Sequence, residues 1–309
     1  MKLGKHIFGV GAMTGISRIF GFIRDMLIAR YLGAGRLSDV FLAAFKLPNL
    51  FRDLLGEGAL SAIFIPMYTD LKKDDAFAKN VFSWLMVVLL GITLVFEIFM
   101  PLVIWGLAPG FADDPGKMQL TVQISRIMFF YVIFVCAAAF MSAILNAHSR
   151  FLLAAFMPVL LNIMLIAALA AAPFYADGII LYVMAGTVVL SGVIQCLVLL
   201  GRIRRRHFGL HLVVPKWTPG IKSLFRRLTI SIVGSGFYQI TIIVGTLVAS
   251  YQSGAVSWLY YSDRIVQLPF AMIGLAVGTV LMSSISNALA DNNMRSVHIQ
   301  QNSSLRKSC

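Results

Sequence analysis

Long apolar runs separated by short polar connections make up most of the chain. A bilayer core about 30 Å thick takes about 20 mostly apolar residues per helix. Eight segments meet that requirement, at 7–33, 38–66, 81–106, 122–147, 152–173, 179–200, 224–251 and 256–284. The first two do so only if their charges face inward, because residues 14–58 carry Arg18, Arg24, Asp25, Asp39, Lys46, Arg52, Asp53 and Glu57. An ionised side chain at the centre of a membrane helix costs about 2.5–3.5 kcal/mol, so such a set must be paired or must line a wet cavity. Gly11, Gly15 and Gly21, with Thr14 and Ser17, permit close helix contact or local unwinding. Pro48 and Pro66 are expected to interrupt the second segment.

Composition agrees with this pattern and narrows it. A chain of 309 residues with 59% hydrophobic and 13% charged residues, and a mean hydropathy of +0.85, is too apolar for soluble domains. It predicts an all-α polytopic membrane bundle. The net charge of +13 falls mostly in loops, which argues for topology rather than for nucleic acid as a partner. Lys2 and Lys5, the 67–80 loop with Lys72, Lys73 and Lys79, Arg150, and the long 201–227 loop with its RIRRRH run share one side. The alternate connections offer Arg36, then Asp113, Asp114 and Lys117, then PFYADG, then SYQSGA. Lysine and arginine favour the cytoplasmic side of short loops, so both ends are expected in the cytoplasm. No small-residue cleavage site follows Lys5, and the first helix is expected to stay in place. Cys136, Cys196 and Cys309 share no motif spacing and read as buried fillers rather than a disulfide or metal framework.

The charges themselves suggest a site. On an ideal helix Arg18 and Asp25 are nearly on one face, with Arg24 about 100° away. Asp39, Lys46 and Asp53 also step by seven, so both faces can point at one cavity. Guanidinium stays charged when partly desolvated and donates two parallel hydrogen bonds to phosphate oxygens. The acidic neighbours then pair with the arginines when the site is empty or form a gate; static ion pairs that hold the bundle together are the competing reading. A weak internal echo, Ala29-Arg30-Tyr31, Gly35, Ser38 against Ala249-Ser250-Tyr251, Gly254, Ser257, suggests the repeat architecture common in transporters. The second copy brings its own charged pair, Asp263-Arg264.

Other candidates are weaker. Asp70, Asp74 and Asp75 might form a metal-diphosphate motif, but among Lys72, Lys73 and Lys79 they read as a solvated turn. His207 and His211 lie beside Gly209 in a loop and are poorly placed for helical metal ligation. The RIRRRH run reads as a topology signal that also attracts anionic lipid. No phosphate loop, metal cluster or nucleophile-histidine pair points to catalysis or to a cofactor.

Several stretches resemble the MurJ (MviN) family of lipid II flippases. They are SRIFGFIRD (17–25), LGAGRLSDVFLAAFKLPNLFRDLLGEGALSAIFIP (32–66), APGF (108–111), AILNAHSRF (143–151), PVLLNI (158–163) and SWLYYSDRIVQLPFAMIGLAVGTVL (257–281). The resemblance implies a bundle of the multidrug/oligosaccharidyl-lipid/polysaccharide exporter type. It implies a bacterial inner-membrane carrier that moves lipid II, the undecaprenyl-diphosphate-linked muropeptide, to the outer leaflet for peptidoglycan synthesis. It makes Arg18, Arg24, Arg52 and Arg264 the substrate-binding arginines, and places Asp25, Asp39 and Glu57 at the cavity and its gates. Membrane lipids and cell-wall synthesis proteins follow as partners. The family pattern has fourteen helices, against eight here. The expected division is an N-terminal lobe at 1–200, a basic cytoplasmic loop at 201–223, the start of a C-terminal lobe at 224–284, and an atypical polar tail at 285–309 that reads as a truncated or frameshifted end. Two alternatives stay open: a related exporter of polyprenyl-linked sugars or drugs, and a non-transporting fragment or half-carrier.

Overall fold

A computed structural model describes residues 2–54, 59–176, 178–205 and 209–267. Glu57, Leu268, Pro269 and the tail from residue 285 lie outside them. The order is α1 (Lys2–Leu32), α2 (Arg36–Phe51), α3 (Ala59–Asp70), α4 (Asp75–Leu107), α5 (Pro115–Phe129), α6 (Tyr131–Ala147), α7 (Phe151–Ala170), α8 (Ile180–Arg204) and α9 (Pro219–Ala249). A further helical stretch occupies 255–267. No strand occurs among the described residues.

The apolar runs account for these elements. α4, the near-continuous pair α5–α6, α7 and α8 are each long and apolar enough to cross a bilayer by composition alone. On α4, Val87, Leu90, Leu94, Ile98, Leu102 and Trp105 are exposed and recur at helical spacing, which fits a face turned to lipid tails. Gly33, at φ +70, ends α1 in the left-handed region that glycine enters without a Cβ clash. Asp74 caps α4 by accepting from the Ala76 amide at 2.9 Å. Its carboxylate therefore serves the helix end, and no group of three potential metal ligands occurs among the described residues.

The interruptions differ from expectation. α1 runs unbroken through Gly11, Gly15 and Gly21. α2 and α3 run through Pro48 and Pro66, and regular α geometry ends instead at Phe51, with residues 52–54 widening into a π turn. Packing against neighbouring helices tolerates a proline inside a membrane helix. The change of geometry falls beside Arg52 and Asp53 instead.

α1 lies along α7, α2 along α5, and α6 along α8. One apolar cluster joins Phe41, Phe129, Tyr131, Leu165 and Met184; its rings include Phe96 stacked on Phe129 at 4.6 Å. A second joins Phe64, Tyr68, Phe77, Phe140 and Leu199 at the end nearer the basic loops, with Phe64 against Phe140 at 4.7 Å. An extended strap at 209–218 lies on the start of α4. There Asn80 and the Lys216 backbone exchange two hydrogen bonds of 2.8 Å, and the Val213 amide donates to Ser83 Oγ at 2.9 Å.

Candidate functional site

α1 carries its charges inward onto a cavity of about 670 Å³. α1 contributes Ser17, Arg18, Arg24 and Asp25, α2 Asn49, α6 Asn146, α7 Asn162, α8 Gln195, and the last helical stretch Arg264; Arg52 enters from the π turn. Four arginines that sequence separates by up to 246 positions (264 − 18) thus meet one space, and Asp25 is the single carboxylate lining it among the described residues.

Arg24 is 7% exposed, a burial that a guanidinium sustains only when its donors are met. Its Nε and Nη2 donate to Asp25 Oδ1 at 2.9 and 2.7 Å. Its Nη1 donates to Asn162 Oδ1 at 2.8 Å. Asn162 in turn donates to the Ser17 carbonyl at 3.1 Å, which fixes the amide and joins α7 to α1. Tyr260 donates to Asp25 Oδ1 at 3.0 Å, and Arg264 Nε lies 3.3 Å from Asp25 Oδ2. The Arg264 guanidinium also sits 4.9 Å above the Tyr260 ring. One carboxylate therefore bridges two arginines from opposite ends of the described chain. Arg18 is exposed within the lining, and Arg52 pairs with Asp53 at 3.2 Å.

Asp39 and Lys46 lie elsewhere. Asp39, wholly buried, accepts from Lys117 Nζ at 2.8 Å, from the Gly254 and Ser257 amides at 2.9 and 3.0 Å, and from Ser257 Oγ at 2.5 Å. Its cationic partner is thus a lysine from α5 rather than a cavity arginine. Around it Ser38 Oγ meets Ser257 Oγ at 2.7 Å, Tyr261 donates to the Gly33 carbonyl at 3.1 Å, and the Gly110 amide donates to Ser250 Oγ at 3.0 Å. Gly254 has φ +80, and a Cβ there would lie 2.9 Å from the Ala34 carbonyl oxygen. This clasp closes the end bearing the 33–35, 108–114 and 250–254 turns. The cavity reaches the other way, toward Val10, Thr14, Asn146 and Phe151. Lys46 bonds Thr246 and the Ile242 carbonyl of α9, and neither it nor Asp53 lines the cavity. A strict step of seven does not keep the three on one cavity face, since Asp39 is drawn to Lys117 and Asp53 follows the π turn. The clasp also sets the two halves of the internal echo, Ser38 and Ser257, against each other.

Asn162, Tyr260 and Lys117 are the functional-looking residues that the charge pattern missed. Asn162 and Tyr260 are neutral and carry no charge signal, and Lys117 sits in a loop where a lysine reads as solvated.

A bundle of membrane helices around an arginine-lined cavity, closed at one end by contacts between α2 and the 255–267 helix, defines a carrier-type membrane protein. The fold matches a solved structure of "Lipid II flippase MurJ, inward closed conformation" with a TM-score of 0.76 and 24% identity, covering 90% of this chain and 58% of that one. It also matches a multidrug transporter of the MATE type at 0.64 and 16%, covering 96% and 68%. The family model for "Lipid II flippase MurJ" matches residues 28–309, and the chain belongs to that family. The "Probable lipid II flippase MurJ" of Rhizobium tropici is 39% identical over 99% of this chain and 59% of its own length. The "Lipid II flippase MurJ" of Burkholderia cenocepacia is 34% identical, over 94% and 58%. The chain thus spans a little under three fifths of the length of these relatives, and the family match runs through the polar stretch at 285–309.

Proposed function

We propose that this chain supplies the anion-binding part of a lipid II flippase, which carries the undecaprenyl-diphosphate-linked muropeptide from the cytoplasmic to the outer leaflet by alternating access. The observation that carries the reading is the convergence of Arg18, Arg24, Arg52 and Arg264 on one cavity against the single carboxylate Asp25. A diphosphate offers enough oxygens to engage several guanidiniums, and arginine binds them in paired fashion. Asp25 holds Arg24 and Arg264 while no anion is present, and an arriving diphosphate competes with it. Asn49 and Asn146 each turn a buried carbonyl oxygen without a hydrogen-bond partner among the described residues toward the same space, which suits the hydroxyl and amide donors of a glycan. An exporter of cationic drugs would want the opposite sign of cavity.

The Asp39 clasp acts as the gate at the far end and must open for release. Residues 1–200 form one lobe, 224–284 begin a second, and 201–223 join them on the cytoplasmic side together with both termini. The placement of Lys72, Lys73, Lys79, Arg150 and Arg202 on one side supports that orientation. With no nucleotide motif in the sequence, the membrane potential is a sufficient drive, at about 2.3 kcal/mol per charge per 100 mV. The cavity is inner-membrane in location, and cell-wall synthesis proteins are its natural partners.

The test is rescue of cells depleted of their own flippase by this sequence joined to the remaining helices of a relative. Arg24→Ala and Arg264→Ala are expected to abolish rescue with the protein still present in the membrane. Full rescue by both variants would overturn the assignment of the arginine cavity as the headgroup site.

A further inference from the structure

A second concavity lies on the outside of the bundle, at the end that carries the basic loops. It occupies about 860 Å³ between the first turns of α7 and the last turns of α8. Its rim is basic. Arg150 stands at the N-cap of α7, Arg202 in the last turn of α8, and Arg205 just beyond it, with His148 beside them. No acidic side chain lines the space. Below the rim the walls are apolar, with Leu152 and Phe156 from α7 facing Leu197 and Val198 from α8, and Leu152, Leu197 and Val198 are exposed.

The backbone adds to the rim. Arg150 gives α7 no side-chain cap, so the positive end of that 20-residue helix faces the same space as the guanidiniums. Gly201 lines the groove, and a Cβ built on it meets nothing within 4 Å. The floor is therefore open rather than filled by packing.

Cations above and apolar walls below, at the end of two membrane helices, match the two parts of one kind of molecule. We propose that this groove is a binding site for an anionic phospholipid of the leaflet at that end, its phosphate held by Arg150, Arg202 and Arg205 and its upper acyl chains laid against Leu152, Phe156 and Leu197. A soluble acidic peptide would leave the apolar walls in lipid, and a free phosphate would use the rim alone. The site is separate from the arginine cavity, although Phe151 borders both, and it does not depend on what that cavity carries.

The full chain, purified in detergent, is photolysed with phosphatidylglycerol bearing a photoreactive acyl chain, and the crosslinked peptides are mapped. Crosslinks are expected within 145–156 and 197–205. Neutralising Arg150, Arg202 and Arg205 together to glutamine is expected to remove them, at about fivefold per arginine. Gly201→Trp, which fills the groove and leaves the charges, should remove them too. Lys72→Gln, Lys73→Gln and Lys79→Gln combined remove the same charge on the same side and should leave them intact. Phosphatidylcholine carrying the same photoreactive chain should label the groove weakly, and glycerol phosphate should compete poorly. The proposal is overturned if labelling spreads over the exposed face of α4, or falls in the arginine cavity alone. Equal labelling by phosphatidylcholine, equal loss in the lysine variant, or displacement by glycerol phosphate as effective as by unlabelled phosphatidylglycerol would each overturn it as well.

Discussion

Asp25 is the residue on which the cavity's electrostatics turn. It stands against Arg24 at 2.7 Å and Arg264 at 3.3 Å, and it alone among the lining residues offsets them. Deleting one member of a buried pair leaves an uncompensated charge and costs about 3–5 kcal/mol. Asp25→Ala is therefore expected to lower the thermal unfolding midpoint in detergent by several degrees. Asp25→Asn keeps an acceptor for Arg24 and Tyr260 and should lose less; an equal or larger loss in Asn would show that the bond network, not the charge, holds this region. Lys117 and Asp39 give a second test at the same scale. Lys117→Met strands a carboxylate that is fully buried, whereas Lys117→Met with Asp39→Asn removes both charges. The double variant is expected to be more stable than Lys117→Met alone, and additive losses in a double-mutant cycle would refute the coupling. The arginines were legible in the sequence because charge in an apolar stretch is rare. Their neutral partners, Asn162 and Tyr260, were not, since a hydrogen-bonding residue in a membrane helix looks the same whether it packs or positions.

Between elements, the clasp is the tightest junction. α2 and the 255–267 helix meet through Ser38 and Ser257, whose hydroxyl oxygens are 2.7 Å apart, and Asp39 binds the first turn of the 255–267 helix through two amides. Two cysteines at the serine positions would be within reach of a disulfide after a small shift. In a background lacking Cys136, Cys196 and Cys309, Ser38→Cys with Ser257→Cys is expected to crosslink under mild oxidation. In the extended protein that bond should stop rescue, and reductant should restore it. Undiminished rescue with the bond fully formed would remove the clasp as a moving gate. The positions of the helices followed from apolar run length, which is why α4 to α8 lie close to the expected spans. The break beside Arg52 did not, because Pro48 and Pro66 gave the stronger local signal while tertiary packing absorbed both. The strap at 209–218 was equally silent: its bonds to Asn80 and Ser83 depend on backbone groups that sequence does not distinguish. Asn80→Ala should speed proteolysis within 205–218, and an unchanged cutting rate would show that the strap is held by its ring contacts, such as Trp84 with Trp217 at 5.3 Å.

At the scale of the whole molecule, the described helices surround the arginine cavity mainly from one side. α1, α2, α6, α7 and α8 line it, while Arg264 and Gln267 are the only lining residues that come from beyond α8 among the described residues. Alternating access needs two bodies that move against each other around a fixed site. The relatives have further length to supply the second body, since this chain covers 59% of the Rhizobium tropici protein. The 309 residues alone are accordingly expected to insert in the membrane and bind a diphosphate lipid but not to rescue depleted cells. The same residues joined to a relative's remaining helices are expected to rescue. Binding is checked with a short-chain polyprenyl diphosphate and should weaken in Arg24→Ala, because the arginines and their partners Asn162, Tyr260 and Asp25 are all within the described chain. Rescue by the 309 residues alone would show that a second copy, or a separate partner, completes the cavity wall. Failure of the chain to bind the diphosphate at all would show that the missing wall is needed to hold the headgroup as well as to move it.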